Sequence, residues 1–176
     1  MIGTLACWSP QPIFAQTDVT ETYLKNPSFE NQFTDWENSG MQSQTNTSFQ
    51  LKEGNTYVER WTGQGGQVAD CHVSQTLTTL KNGVYKLTAA AQNIQQNSPA
   101  TQSGAYVFAG NAQVAVGAAN DYSLEFTVIE GQATIGFKTE NATGNWVACD
   151  NFRLYALNND LAEIQEELQR LSLIHI

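Results

Sequence analysis

The stretch WVACDNFRLY, Trp146–Tyr155, places Trp146, Ala148, Phe152 and Leu154 at alternate positions of one apparent strand, with a carboxylate, Asp150, in the same row. A carboxylate taken into an apolar layer without partners costs several kcal/mol and stays ionised only beside hydrogen-bond donors or positive charge. Backbone N–H groups, Arg153 or Lys25 could serve. Other residues suit recognition rather than reaction. Trp61 ends a strand pattern at the edge of the glycine-rich TGQGGQ, and Trp146 enters the last strand after the polar ENATGN. An indole face on a rigid strand end can cover the C–H face of a sugar ring, although rim or core packing is an equal use for each. Asn93 and Gln95, in the polar loop after LTAAAQ, offer amides that donate and accept, although most surface amides simply face water. Trp36 reads as core.

Signals of catalysis are missing. The sequence has no GxSxG elbow and no P-loop, and GQGGQ at 63–67 lacks the following Lys-Ser/Thr and helix of a phosphate cradle. Of the two histidines, His72 lies in a strand pattern and reads as an exposed strand residue, while His175 lies in the final stretch. No local pattern marks a glycosidase carboxylate pair. Eight Lys and Arg against 17 Asp and Glu, for a net charge of −9, provide no basic patch for nucleic acid. Charged residues are scarce at 14%, with Asn, Gln and Thr abundant in their place. Such a surface suits neutral partners, carbohydrates foremost.

The elements that must position these residues are strands. SFQL (48–51), TYVERW (56–61), VADCHVSQTLTTL (68–80), VYKLTAAAQ, AYVFAG, AQVAV, DYSLEFTVI, QATIGFK and NWVACDNFRLY carry β-branched or alternating patterns divided by turn residues. Asn82-Gly83 reads as a hairpin turn between VADCHVSQTLTTL and VYKLTAAAQ. Glu130-Gly131 turns the chain into QATIGFK, and NIQQNSPATQSG reads as a polar loop. About ten short strands without intervening helices imply an all-β fold, an antiparallel β-sandwich or jelly roll. After Leu157 the pattern changes: Leu161, Ile164, Leu168 and Leu171 share one helical face, and Asp160 with Glu163 makes a capping box. A short C-terminal helix is therefore expected from about Leu161, as the start of a helical region.

The first 15 residues read as a signal peptide that has lost its basic start, with Ile13 and Ala15 set for cleavage before Gln16. The protein is then exported, to the periplasm, cell surface or medium. The final LSLIHI (171–176) resembles translated sequencing adapter and is set aside from the fold. No stretch reaches the length of a membrane span. Of the three cysteines, Cys7 would leave with the signal; Cys71 and Cys149 could form a disulfide or serve as small core residues.

Three motifs together carry a family resemblance. NPSFE (Asn26–Glu30) followed by Trp36, then VSQTLTTLKNGVYKLTAAA (73–91), then ATGNWVACDNFRLY (142–155) resemble the galactose-binding-domain-like sandwich of carbohydrate-binding modules, in particular those appended to secreted polysaccharide-degrading enzymes of Bacteroidetes. The resemblance spans about Thr22 to Leu157. It implies that the first and last strands lie together, and that a structural calcium is held where they meet. Glu30 would match the family's Glu, Ser28 would supply a carbonyl, and Asp150 would match the closing Asp, with loops completing the oxygen ligands that calcium prefers. It also implies a non-catalytic domain, 16–157, that binds a polysaccharide or glycan through Trp61, Trp146, Asn93 and Gln95, tethered to domains beyond this chain. A ligand-free spacer or protein-contact module remains the alternative, since fold does not dictate function.

Overall fold

A computed structural model describes residues 16–157 and 168–174. Eleven strands and one short helical turn occupy 16–157: β1 Gln16–Asp18, α1 Thr20–Tyr23, β2 Glu37–Ser39, β3 Gln42–Gln44, β4 Tyr57–Trp61, β5 His72–Leu77, β6 Gly83–Ile94, β7 Ala105–Ala109, β8 Ala112–Ala115, β9 Asn120–Val128, β10 Ala133–Thr139 and β11 Trp146–Leu157. Residues 168–174 form a short helix, α2. The capping box at Asp160 and the N-terminal signal both lie outside the described residues.

The strands form two antiparallel sheets. The first runs β3-β4-β11-β6-β9, with β1 beside the second half of β11; the second runs β2-β5-β10-β7-β8. The expected β-sandwich is therefore present. Asn82-Gly83 does not close a hairpin, because β5 and β6 belong to different sheets and the chain crosses between layers there. The turn at Glu130-Gly131 is likewise a crossover, from β9 to β10. Local turn chemistry does not tell a hairpin from a crossover; which sheet the next strand joins decides. β7 and β8 do form a hairpin. SFQL is not a strand. It folds into turns that bury Phe49.

Inward alternation fills the space between the sheets. Val73 and Leu77 of β5, Tyr85, Leu87, Ala89 and Ala91 of β6, Val107 of β7, Leu124 and Phe126 of β9 and Ile135 and Phe137 of β10 form one core. The opening motif is a series of tight turns with left-handed backbone at Asn26, Phe29, Gln32 and Asp35. Asn26 holds it together. Its Oδ1 accepts from Asn31 N, and its Nδ2 donates to the carbonyls of Gln32 and Thr34. Phe29 and Trp36 are thereby presented to Phe152 with ring centroids 6.0 and 5.0 Å from it. Phe152 N donates to Pro27 O, so the opening and closing motifs meet as expected. Trp36 is core. Cys71 and Cys149 are both buried and both free.

A register shift between Asp150 and Arg153 places two residues of β11, Asn151 and Phe152, against one of β6. Asn151 has φ 52°, the left-handed backbone that Asn tolerates better than most residues. Before this bulge Trp146, Ala148 and Asp150 face outward, while Val147 and Cys149 face the core; after it Phe152 and Leu154 face the core. The alternate row apparent in the sequence is thus cut in two, and Asp150 belongs to the outer half.

Candidate functional site

The outer face of the first sheet is built in rows by strand register. Trp61 of β4, Trp146 of β11 and Ile94 of β6 form one row. Glu59, Ala148 and Gln92 form the next, ~7 Å along the strands. Tyr57 and the Asp150–Ala90 pair follow. Segment 45–56 folds over this last row and buries Phe49 against Tyr57, with ring centroids 5.4 Å apart. Phe49, Tyr57, Ala90, Trp146 and Ala148 form a second, smaller apolar cluster here, with Leu51 and Ile94 at its margin. Beyond it the face opens at Trp61.

Trp61 is 52% exposed. Its indole N–H donates to Gln96 Oε1 at 2.8 Å, which holds the ring while its face stays open. Trp146 is 8% exposed, and its N–H donates to Glu59 Oε2 at 2.6 Å. The expectation of an exposed platform at Trp146 is therefore corrected. The residue enters the outer cluster because β4 and β6 flank it, and it supports the floor rather than offering a face. The Tyr57 hydroxyl lies 3.1 Å from Glu59 Oε2 and 2.8 Å from Asn46 Oδ1, one proton shared between two acceptors. Burial, then the Glu59 charge, raises the Tyr57 phenol far above its usual range, so it remains a donor.

Gln92 is 3% exposed, and its Nε2 has no hydrogen-bond partner. An unpaired buried donor costs about 1–3 kcal/mol. Here it lies across the small Ala148 from the Glu59 carboxylate, in the row beside Trp61. The arrangement combines an aromatic face, an amide donor and a carboxylate acceptor on rigid strands. It can recognise a molecule with an apolar C–H face and adjacent hydroxyls. Sequence reasoning did not single out Glu59 and Gln92. Their signal was alternation: Tyr57, Glu59 and Trp61 share one parity of TYVERW, and Ala90, Gln92 and Ile94 share one parity of AAAQNI.

Asn93 and Gln95 do different work from that expected. Asn93 is 1% exposed and turned to the other side of β6; its Nδ2 donates to Ser103 O at 2.9 Å. Its Oδ1 lies 2.1 Å from where a Cβ at Gly144 would stand, so only glycine fits there. Gln95 is half-buried. Its Nε2 donates to the carbonyls of Gly66 and Thr143, and its Oε1 accepts from Gly65 N. It ties the loops behind Trp61 together. Asn145 does the same between Thr62 and Gln96.

The carboxylates of the opening and closing motifs converge on segment 53–56. Glu30 Oε1 accepts from Asn55 N and Thr56 N, both at 2.8 Å, and Asp150 Oδ2 accepts from Glu53 N at 2.6 Å. Glu53 pairs with Arg153 and accepts from the Ser28 hydroxyl. Backbone amides thus meet part of the need of Asp150, but its Oδ1 is buried and unpartnered. Burial raises the Asp150 carboxyl from 3.8 to about 7; hydrogen bonds from Glu53 and Asn151 N–H oppose this, and the charges of Glu53 and Glu30 add to it. Among the described residues no three His, Cys, Asp or Glu gather as a metal-binding group. Glu30 and Asp150 could hold a cation only with carbonyl oxygens as the remaining ligands. Calcium, a hard cation that accepts such oxygens, suits that donor set.

No family model matches the chain, and no curated protein matches it by sequence. Solved structures share its architecture. TmCBM61, solved in complex with beta-1,4-galactotriose, has a TM-score of 0.57 at 21% identity, over 76% of this chain and 97% of that one. The arabinose-bound MgGH51 α-L-arabinofuranosidase has a TM-score of 0.52 at 12% identity, over 80% of this chain and 28% of that one. A family 16 carbohydrate binding module has a TM-score of 0.49 at 13% identity, over 74% of this chain and 97% of that one. At these identities the likeness to the first two establishes the sandwich fold alone.

Proposed function

We propose that this chain is a non-catalytic carbohydrate-binding module that meets its glycan on the outer face of the first sheet. One observation carries this most directly: the open face of Trp61 stands beside a row in which the buried Gln92 amide has no partner and Glu59 presents a carboxylate. Trp61 would cover one sugar ring; Gln92 and Glu59, both buried, would engage its hydroxyls through a bridging water or after a shift of the side chains above them. Trp146 and Tyr57 are positioning residues that orient Glu59. Binding to β-1,4-linked galactose oligomers is the first specificity to test, because TmCBM61 was solved with one. The test is a glycan array with the full chain; binding to no plant, host or microbial glycan would refute the proposal.

We further propose that a structural calcium joins the opening and closing motifs through Glu30 and Asp150. The unpartnered Asp150 Oδ1 supports this. Calcium would supply positive charge among Glu30, Glu53 and Asp150, while the Ser28 hydroxyl stays on Glu53. Chelation should then lower the melting temperature, and Asp150→Ala should abolish that effect. The module would be exported with a glycan-degrading or adhesive protein, where tethering lets a weak site act at raised effective concentration. The ligand-free spacer draws support from the burial of Trp146 and Asn93. An empty glycan array would favour it.

A further inference from the structure

The outer face of the second sheet carries a second group of side chains with no part in the site above. Tyr106 and Phe108 lie two residues apart on the outward side of β7, each half-buried. Strand register places Lys138 of β10 beside Tyr106, and Gly136 beside Phe108. The Phe108 ring edge lies 3.1 Å from where a Cβ at 136 would stand, so the ring rests on bare backbone. Lys138 Nζ lies 5.7 Å from both ring centroids and 2.6 Å from Glu140 Oε1. An ammonium carries three donors, and the ion pair with Glu140 engages one. Around this pair the face is polar and small, with Ser74 and Thr76 of β5, Thr134 of β10 and Gln113 of β8. A shallow depression of about 360 Å³ adjoins Phe108 and Lys138, with Ser39, Asp70 and His72 at its rim.

We infer that this outer face of β5, β10 and β7 is a second glycan-binding surface, independent of the first, with Tyr106 and Phe108 as its aromatic platform and Lys138 as a hydroxyl donor. Charge selects the occupant. Lys138 is neutralised by Glu140, Asp70 lies nearby, and a chain with net charge −9 repels polyanions, so the ligand is a neutral oligosaccharide. The two rings are ~7 Å apart along β7, so one sugar chain laid along that strand meets both. The module would then engage glycan on both outer faces of the sandwich, which suits bridging two polysaccharide chains.

The test is a two-dimensional NMR titration of the full chain and its Trp61→Ala variant with β-1,4-galactotriose, xylohexaose, cellohexaose and mannohexaose. The expected result is saturable shifts at the amides of Tyr106, Phe108, Gly136 and Lys138 in both proteins with at least one sugar. Tyr106→Ala should weaken binding at this face about fivefold, within the range of one aromatic contact, and leave shifts around Trp61 unchanged. Lys138→Gln keeps the aromatic platform and should weaken binding at this face about threefold, which keeps the inference testable should Tyr106→Ala fail to fold. The inference is overturned if these four amides do not respond to any of the sugars. It is also overturned if they respond to protein concentration without sugar, which would assign the face to protein contact. Shifts confined to this face would refute the first-sheet site and leave this one standing.

Discussion

The two outer faces of the sandwich use aromatic residues in opposite ways. On the first sheet, three aromatics in and beside segment 45–56 are buried: Phe49, Tyr57 and Trp146 form a floor, and Trp61 stands open at its edge. On the second sheet Tyr106 and Phe108 lie half-exposed, Phe108 over a glycine, with a lysine between them. The first face carries buried polar groups in one strand row, Glu59 and Gln92, and the second an open aromatic surface with an internally neutralised charge. Buried polar groups discriminate, because a wrong ligand leaves them unpaired; flat aromatic surfaces tolerate variation. The first face should therefore set specificity, and the second should add contact.

That contrast can be broken at several points. The largest effect is expected at Gly136, where a Cβ would lie 2.1 Å from Val73 O. Gly136→Ala must move backbone within the second sheet and should destabilise by about 3 kcal/mol or more, measured by urea unfolding. Glu59→Ala comes next, at about 2 kcal/mol, because the Trp146 N–H and Tyr57 hydroxyl lose a buried acceptor. If stability is unchanged, Glu59 does not organise the first face.

Trp61→Ala should leave stability nearly unchanged, yet weaken glycan binding about tenfold or more by isothermal titration, since the ring is exposed and its loss opens no core cavity. A smaller effect concerns the segment that covers part of the first face. With chelator present, the raised Asp150 carboxyl holds its proton in the folded state up to about pH 7, whereas the unfolded chain releases it near 3.8. The folded state binds more protons in that window, so stability falls as pH rises from about 4 to about 7 and levels off above. A decrease on the order of 5 °C in melting temperature is expected, and Asp150→Asn should flatten that slope. A rise across the window would contradict it.

Much of the fold was legible because alternation and turn residues are local. DYSLEFTVI became β9 with Leu124, Phe126 and Val128 inward, as its pattern implied. The meeting of NPSFE with the last strand was legible through family resemblance, and Phe29 and Phe152 bear it out. Sheet membership was not legible. Asn82-Gly83 has the composition of a hairpin and serves as a crossover, because the partner of β6 comes from β9 and β11 rather than from β5. Of the expected glycan contacts, Trp61 is exposed, whereas Trp146, Asn93 and Gln95 support the floor and loops. Strand position shows that a side chain points outward; it cannot show that a distant loop such as 45–56 will cover it.

The sequence by itself determined the strand-rich class, the polar and acidic surface, the aromatic core pieces at Trp36 and Phe152, and the need of Asp150 for partners. These depend on residue type and on period-two spacing, which each segment carries alone. Tertiary structure decided which side Asp150 faces. A bulge at Asn151 and Phe152 breaks the period, and its place is set by pairing with β6, more than 50 residues away in the chain. It also decided that Glu59 and Gln92 share a row with Ala148, since register between β4, β11 and β6 depends on which strands lie side by side. A carboxylate that seemed misplaced in an inward row is in the outer one, where the Glu53 amide donates to it.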